Sequence, residues 1–251
     1  MEIPMPYDRK FFFDNVRRDL FKGTLTQSQV DGMEYILGIW ERHYEEANPR
    51  DGTKWLAYAL ATFYHETAYT MNPIEEYGKG SGKSYGQATG PYGQKYYGRG
   101  HVQLTWEDNY KKGQQYLKDR YGVEANIHPE AHKMLHEETS ALVSFDGMVY
   151  GWFTGVGLPK YFNATVEDPV NARRIVNGTD KASTIANYYW LFKKALKQVP
   201  KAETPKEEEA QLPDLPSEPA MPEPIPEEEH PKEEREHHVT VTRVGGGRKV
   251  T

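Results

Sequence analysis

Hydrophobic residues recur at helical spacing through most of the chain before residue 200. Val30, Met33, Ile36, Leu37 and Trp40 share one face behind Ser28, which predicts a helix capped by that serine and ending near His43. A second helix is predicted from Asp51, whose side chain can cap the following amides. It buries Leu56, Leu60 and Phe63 and carries Glu66 in its last turn. Residues 71–100 are rich in Gly and Tyr without a helical period, so loops and short strands are expected there. Helical spacing returns over about 139–153, with Leu142, Phe145, Val149 and Trp152, and over 182–197, with Ile185, Tyr189, Phe192 and Leu196. The pattern predicts a mainly α fold, and no internal repeat is visible.

Composition sets the boundary of that fold. Every Phe, Trp and Tyr precedes Pro200, so residues 1–199 are expected to form one folded domain and 200–251 a tail. Residues 200–238 hold nine Pro and thirteen Asp or Glu against four Lys or Arg, a net charge of −9. With +3 over residues 239–251 and −6 overall, the first 199 residues are neutral. An acidic, Pro/Glu-rich stretch without aromatics cannot bury enough apolar surface to offset its ordering, so disorder is expected over about 200–238. Val239 to Val244 alternates like a strand before Gly245, yet an unstructured end is the expectation.

These numbers also exclude functions. A neutral body argues against nucleic acid as a partner, because backbone binding needs clustered positive charge. Cysteine is absent, which removes disulfides and thiolate chemistry. No basic stretch followed by an apolar run opens the sequence, and no segment is long and apolar enough to span a bilayer. Synthesis in the cytoplasm is therefore expected, with export by another route.

The candidate chemistry centres on Glu66. It follows Trp55 by eleven residues, about three helical turns, and so lies beside the buried stripe on the line of Trp55, Ala59 and Thr62. Desolvation there disfavours the charged form, and the dipole at a helix C-terminus acts in the same direction, so this carboxyl is expected to donate a proton near neutral pH. A glycosidic oxygen needs such a general acid in order to leave. A second carboxylate is available nine or ten residues on, at Glu75 or Glu76, in a turn opened by Pro73. Adjacent residues of an extended segment point opposite ways, so one of the two is expected to enter the site. The strip from Tyr96 to Trp106, closed by Asn109-Tyr110, supplies amides, hydroxyls and rings suited to a sugar polymer, with one of Tyr96 and Tyr97 expected in the core.

Metal readings fail on spacing. His65-Glu66 invites a zinc motif, but Tyr69 occupies the position of its second histidine. His65 is expected to buttress the helix end or orient a carboxyl. His128, His132 and His136 are spaced by four, but Pro129 places His128 ahead of any helix, leaving two imidazoles and no third ligand. No metal and no cofactor are expected.

His65-Glu66-Thr67, Tyr97-Gly98-Arg99-Gly100, Gln103-Leu104-Thr105-Trp106 and Asn109-Tyr110 together resemble the glycoside hydrolase family 19 pattern of chitinases and phage endolysins. Gly151-Trp152-Phe153-Thr154-Gly155 and Ala172-Arg173-Arg174-Ile175-Val176-Asn177-Gly178 resemble the closing helices of compact phage-type members, and the likeness spans about residues 25–197. The resemblance implies a mainly α, lysozyme-like, two-lobed helical domain with a small β element. It implies Glu66 as general acid and Glu76 as the base that activates water, with Glu75 its close competitor. It further implies that Thr105 helps hold the water, that Gln103, Asn109 and Asn177 bind N-acetyl sugars, and that Tyr97 contacts the glycan. His101 stands where chitinases commonly show Pro, Thr179 replaces a second Gly, and plant-type cysteines are missing, which favours the phage-like type.

The implied substrate is the glycan of peptidoglycan, with chitin second. The enzyme is expected to act as a monomer, released by holin-assisted lysis or carried on a virion. A non-catalytic wall-binding or virion structural protein is the alternative from another class, and a lytic transglycosylase, which needs a single acid, is a third.

Overall fold

The structure, a computed structural model, describes residues 7–45 and 51–197, all within one compact unit, Met1–Glu203. The predicted tail disorder over 200–238 and the alternating segment from Val239 lie outside the described residues. The chain runs through α1 (Arg9–Asp19), α2 (Gln27–His43) and α3 (Gly52–Glu66). Four two-residue strands follow, β1 (Ile74–Glu75), β2 (Ala88–Thr89), β3 (Gln94–Lys95) and β4 (Arg99–Gly100). The remaining helices are α4 (Glu107–Tyr121), α5 (Glu137–Tyr150), α6 (Leu158–Tyr161) and α7 (Ala182–Ala195), with 3-10 turns at Ser84–Gly86, Ala131–Leu135 and Asn171–Ile175. The protein is mainly helical, as the periodicity predicts.

Two helices form its centre. Every residue from Trp55 to Tyr64 on α3 and from Thr139 to Val149 on α5 is buried, so both are wrapped on all sides. α7 packs on α3 and on α1, while α2 and α4 pack on α5, and α3 touches α5. Aromatic contacts join these layers: Phe145 of α5 lies 5.3 Å from Phe63 of α3 and 5.2 Å from Trp40 of α2, centroid to centroid. None of the described helices is long and apolar enough to cross a membrane.

Several helix ends differ from expectation. α2 is capped by Thr26, two residues before Ser28, because Thr26 and Gln29 exchange side-chain and backbone hydrogen bonds in a capping box. Asp51 does precede α3, but its carboxylate pairs with Lys54 at 3.2 Å and makes no bond to the helix amides. α5 stops at Gly151 in the left-handed region (φ 72°), so Trp152 leaves the helix and stacks on Tyr116 of α4 at 5.5 Å.

The segment from 71 to 100 forms short strands and loops as expected. β1 pairs antiparallel with β4, Ile74 opposite Gly100 and Glu75 opposite Arg99, and β2 pairs with β3. β4 rests directly on α5: at Gly100 (φ 82°) a Cβ would lie 2.6 Å from Ser140 Oγ. His101, next along, is fully buried, with its backbone N–H and Nδ1 both 2.8 Å from the same Oγ, and burial pushes its imidazole down to about 3. The strand pair carrying Glu75 is thereby seated on the central helices.

Candidate active site

Glu66 is the last residue of α3, and its side chain is 16% exposed. The rigid, buried body of the helix fixes where this carboxyl emerges. Its Oε1 accepts a hydrogen bond of 2.6 Å from Arg173 Nη1. Arg173 lies in the 3-10 turn Asn171–Ile175, is 3% exposed, and also donates through Nε to the Asp180 carbonyl at 3.0 Å. A guanidinium this deep needs its charge met; its bond to the Asp180 carbonyl fixes the guanidinium, and its single bond to Oε1 orients the carboxyl. Glu66 is thus a paired group rather than the merely desolvated acid expected. His65 plays no part in that bond: its Nδ1 is buried without a partner, and burial pushes the imidazole below its ordinary value.

Asn177 belongs to the same corner. Its backbone N–H donates to the Arg173 carbonyl and its Oδ1 accepts from Gly178 N, both at 3.0 Å.

The chain reverses sharply between Glu66 and β1. Ala68, Tyr69 and Met71 all have positive φ (49°, 70° and 60°), three left-handed non-Gly residues within four positions. Thr67 holds the reversal, its hydroxyl donating to the Phe63 carbonyl at 2.7 Å and accepting from Met71 N at 3.1 Å. Strain of this kind clusters where surrounding structure imposes a functional geometry.

Glu75 and Glu76 then diverge, as alternation predicts. Glu75 accepts from the Tyr97 hydroxyl at 2.7 Å and Arg99 Nε at 3.1 Å, and pairs with Lys79 at 3.1 Å through its other oxygen. Burial raises the Glu75 carboxyl, but the bonds from Tyr97, Lys79 and Arg99 outweigh it and leave the group below its ordinary range. Glu76 instead serves the backbone: Oε2 accepts from Gly98 N and Oε1 from Gly80 N, each at 3.0 Å. A side chain at Gly98 would crowd this lock, its Cβ lying 3.0 Å from Gln103 Oε1 and 3.2 Å from Glu76 Oε2.

Gln103, with φ 54°, donates through Nε2 to the carbonyls of Ile74 and Gly100, both at 3.1 Å, so it clamps β1 to β4. Asn109 donates to the Thr105 carbonyl at 2.8 Å. Tyr96 and Tyr97 are both buried; Arg99 covers the Tyr97 ring at 3.6 Å. Among the described residues no group of three or more His, Asp or Glu could hold a metal ion. His128 instead pairs with Glu107 at 2.9 Å.

A solved chitinase shares this arrangement of elements. Chitinase C from Streptomyces griseus superposes with a TM-score of 0.50 at 19% identity, over 76% of this chain and 77% of that one. The chain adopts a family 19 chitinase-like fold. A bacterial family 19 chitinase (TM-score 0.47, 19% identity, 78% of this chain and 98% of that one) and a class IV family 19 chitinase from Zea mays (0.41, 20%, 77% and 94%) are also similar. No family model and no curated protein matches the sequence.

Within this chitinase-like fold the structure joins Glu66 to Asn177 through Arg173, and Glu75 to Tyr97, Gln103 and Gly98 through the β1–β4 pair. The two candidate bases differ in what meets them. Glu76, favoured on resemblance, gives both oxygens to backbone amides, with the Tyr85 hydroxyl a longer contact at 3.4 Å, whereas Glu75 is held by side chains alone. Tyr97, expected to contact the glycan, is buried and donates its hydroxyl to Glu75. Arg173 and Arg99 are the groups that sequence reasoning passed over. Both stand in the quoted motifs, but their partners lie 107 and 24 residues away.

Proposed function

We propose that this chain hydrolyses β-1,4 bonds in an N-acetyl-sugar polymer, with Glu66 as general acid and Glu75 as general base. The observation that carries this reading is the pair of anchored carboxylates at the end of α3 and in β1, joined by a strained reversal and each oriented by a largely buried arginine. Because Oε1 of Glu66 is tied to Arg173, Oε2 is the oxygen that would carry the proton to the leaving glycosidic oxygen. Glu75, stabilised as a carboxylate, would take a proton from the attacking water, with the half-buried Thr105 available to hold that water. Asn177 beside Arg173, Gln103 through its Oε1 beside Gly98, and Asn109 would meet the hydroxyl and acetamido groups of the sugar.

The glycan of peptidoglycan is the favoured substrate, since the cysteine-free, compact body resembles the phage-type lysins. Holin-assisted release or carriage on a virion, as a monomer, goes with that reading. Chitin is the second substrate, favoured by the fold shared with chitinase C. Incubation of the full chain with purified peptidoglycan and with chitin oligomers, and identification of new ends by mass spectrometry, tests the proposal. New reducing ends on peptidoglycan support it, and cleavage of chitin alone makes the protein a chitinase. Anhydro ends would indicate a transglycosylase, and binding without cleavage would indicate a wall-binding protein.

A further inference from the structure

Tyr69 stands three residues after Glu66 in a backbone conformation that glycine adopts freely and a tyrosine does not, with φ 70°. The residue is nevertheless 46% exposed, so it is not held there as part of the core. Among the described residues only Tyr69 and Trp106 combine a large exposed apolar side chain with positive φ. Two hydrogen bonds hold the Tyr69 backbone: its N–H donates to the Tyr64 carbonyl at 2.9 Å, and its carbonyl accepts from Gln29 Nε2 at 3.0 Å. The ring is supported from below by Tyr64, at 4.6 Å, and by Tyr188 of α7 at 6.5 Å. Tyr188 in turn lies 6.5 Å from His65, the neighbour of the acid. The result is a rigid aromatic shelf beside the end of α3.

We propose that Tyr69 is a substrate-binding residue, its exposed ring stacking on the apolar C–H face of a pyranose unit next to the bond that Glu66 protonates. This rests on the hydrolase reading above. An aromatic ring suits that role because it offers a flat apolar surface at little entropic cost, and a side-chain hydrogen bond between Tyr69 and Tyr188 helps to hold it in place. Packing on Tyr64 and Tyr188 covers part of the ring, and the part left open to solvent, kept at the expense of backbone strain, is a surface for contact with something outside the chain.

The test is steady-state kinetics of the full-length Tyr69→Gly and Tyr69→Phe variants on soluble N-acetyl-sugar oligomers, with thermal melting of each. Glycine accepts φ 70° without strain, so the fold is retained while the shelf is removed. Tyr69→Gly is expected to raise KM about fivefold with kcat within about twofold, the loss of one stacking contact. Tyr69→Phe, which keeps the ring, is expected to match wild type. A Tyr69→Gly enzyme with wild-type KM overturns the proposal, as does a Tyr69→Phe enzyme impaired as much as Tyr69→Gly. A wild-type chain that cleaves no such oligomer or polymer defeats the hydrolase reading itself, a separate result from cleavage that is indifferent to residue 69.

Discussion

Replacing Arg173 by Met isolates the contact that fixes the candidate acid. Met fills much of the same volume but removes both donors, the 2.6 Å bond to Glu66 and the 3.0 Å bond to the Asp180 carbonyl. Removing one partner of a buried ion pair costs about 3–5 kcal/mol. Glu66 is 16% exposed and recovers part of that from water, while the orphaned Asp180 carbonyl adds about 1 kcal/mol. A net loss of about 3 kcal/mol follows, which for a domain of this size lowers Tm by about 6–12 °C. Turnover should fall about a hundredfold as the carboxyl loses its orientation. The double variant Arg173→Met/Glu66→Gln removes the unpaired charge as well, so it should melt above Arg173→Met alone. Melting at wild-type temperature in Arg173→Met, or no recovery in the double variant, would show that the Arg173–Glu66 pair does not hold this corner of the fold.

Glu75→Gln should abolish turnover by a factor of about 10² or more, whereas Glu76→Gln should keep most activity but melt lower, because the Gly80 and Gly98 amides lose an ionised acceptor; kinetics and melting of the two variants decide this. His101 sets a pH dependence whose sign is fixed by its lowered value, from 6.5 to about 3. Between those values the unfolded chain binds the proton and the folded one does not. The folded state therefore loses stability as pH falls from about 6.5 towards 3, by about 2 kcal/mol at pH 5. Urea unfolding at pH 5 and pH 7 should show that loss in wild type and a smaller one in His101→Gln. Tyr121→Phe takes one of two tyrosine hydroxyls from the fully buried Asp146, at 2.9 Å, and should destabilise by about 1–3 kcal/mol in the same assay.

The helices with a continuous apolar period were legible, and those without were not. α2, α3, α5 and α7 repeat large apolar residues every three or four positions, so their existence and approximate ends follow from spacing. α4 buries only Tyr110, Gly113 and Leu117 in fifteen largely polar residues, too sparse a stripe to read. α1 carries three consecutive Phe, at 11 to 13 behind Arg9 and Lys10, which mark no single face. Thr26 was passed over as a cap because Ser28 stands nearer the apolar run, and only the bonds with Gln29 distinguish them. At the site, Glu66 was readable from its place at a helix end. Glu75 and Glu76 were not separable, since their difference lies in two backbone amides that meet Glu76 and a tyrosine, an arginine and a lysine that meet Glu75. The role of Arg173 depends on a contact across 107 residues, which no local pattern encodes.

If Glu66 delivers the proton to the glycosidic oxygen, Glu66→Gln, which keeps the shape while removing the donor, must stop cleavage. Near-complete loss of cleavage of the substrate that wild type cuts is expected, together with a lower Tm, because the buried Arg173 guanidinium is left facing a neutral amide in place of its carboxylate. Wild-type turnover in that variant would contradict the role of Glu66 as the acid.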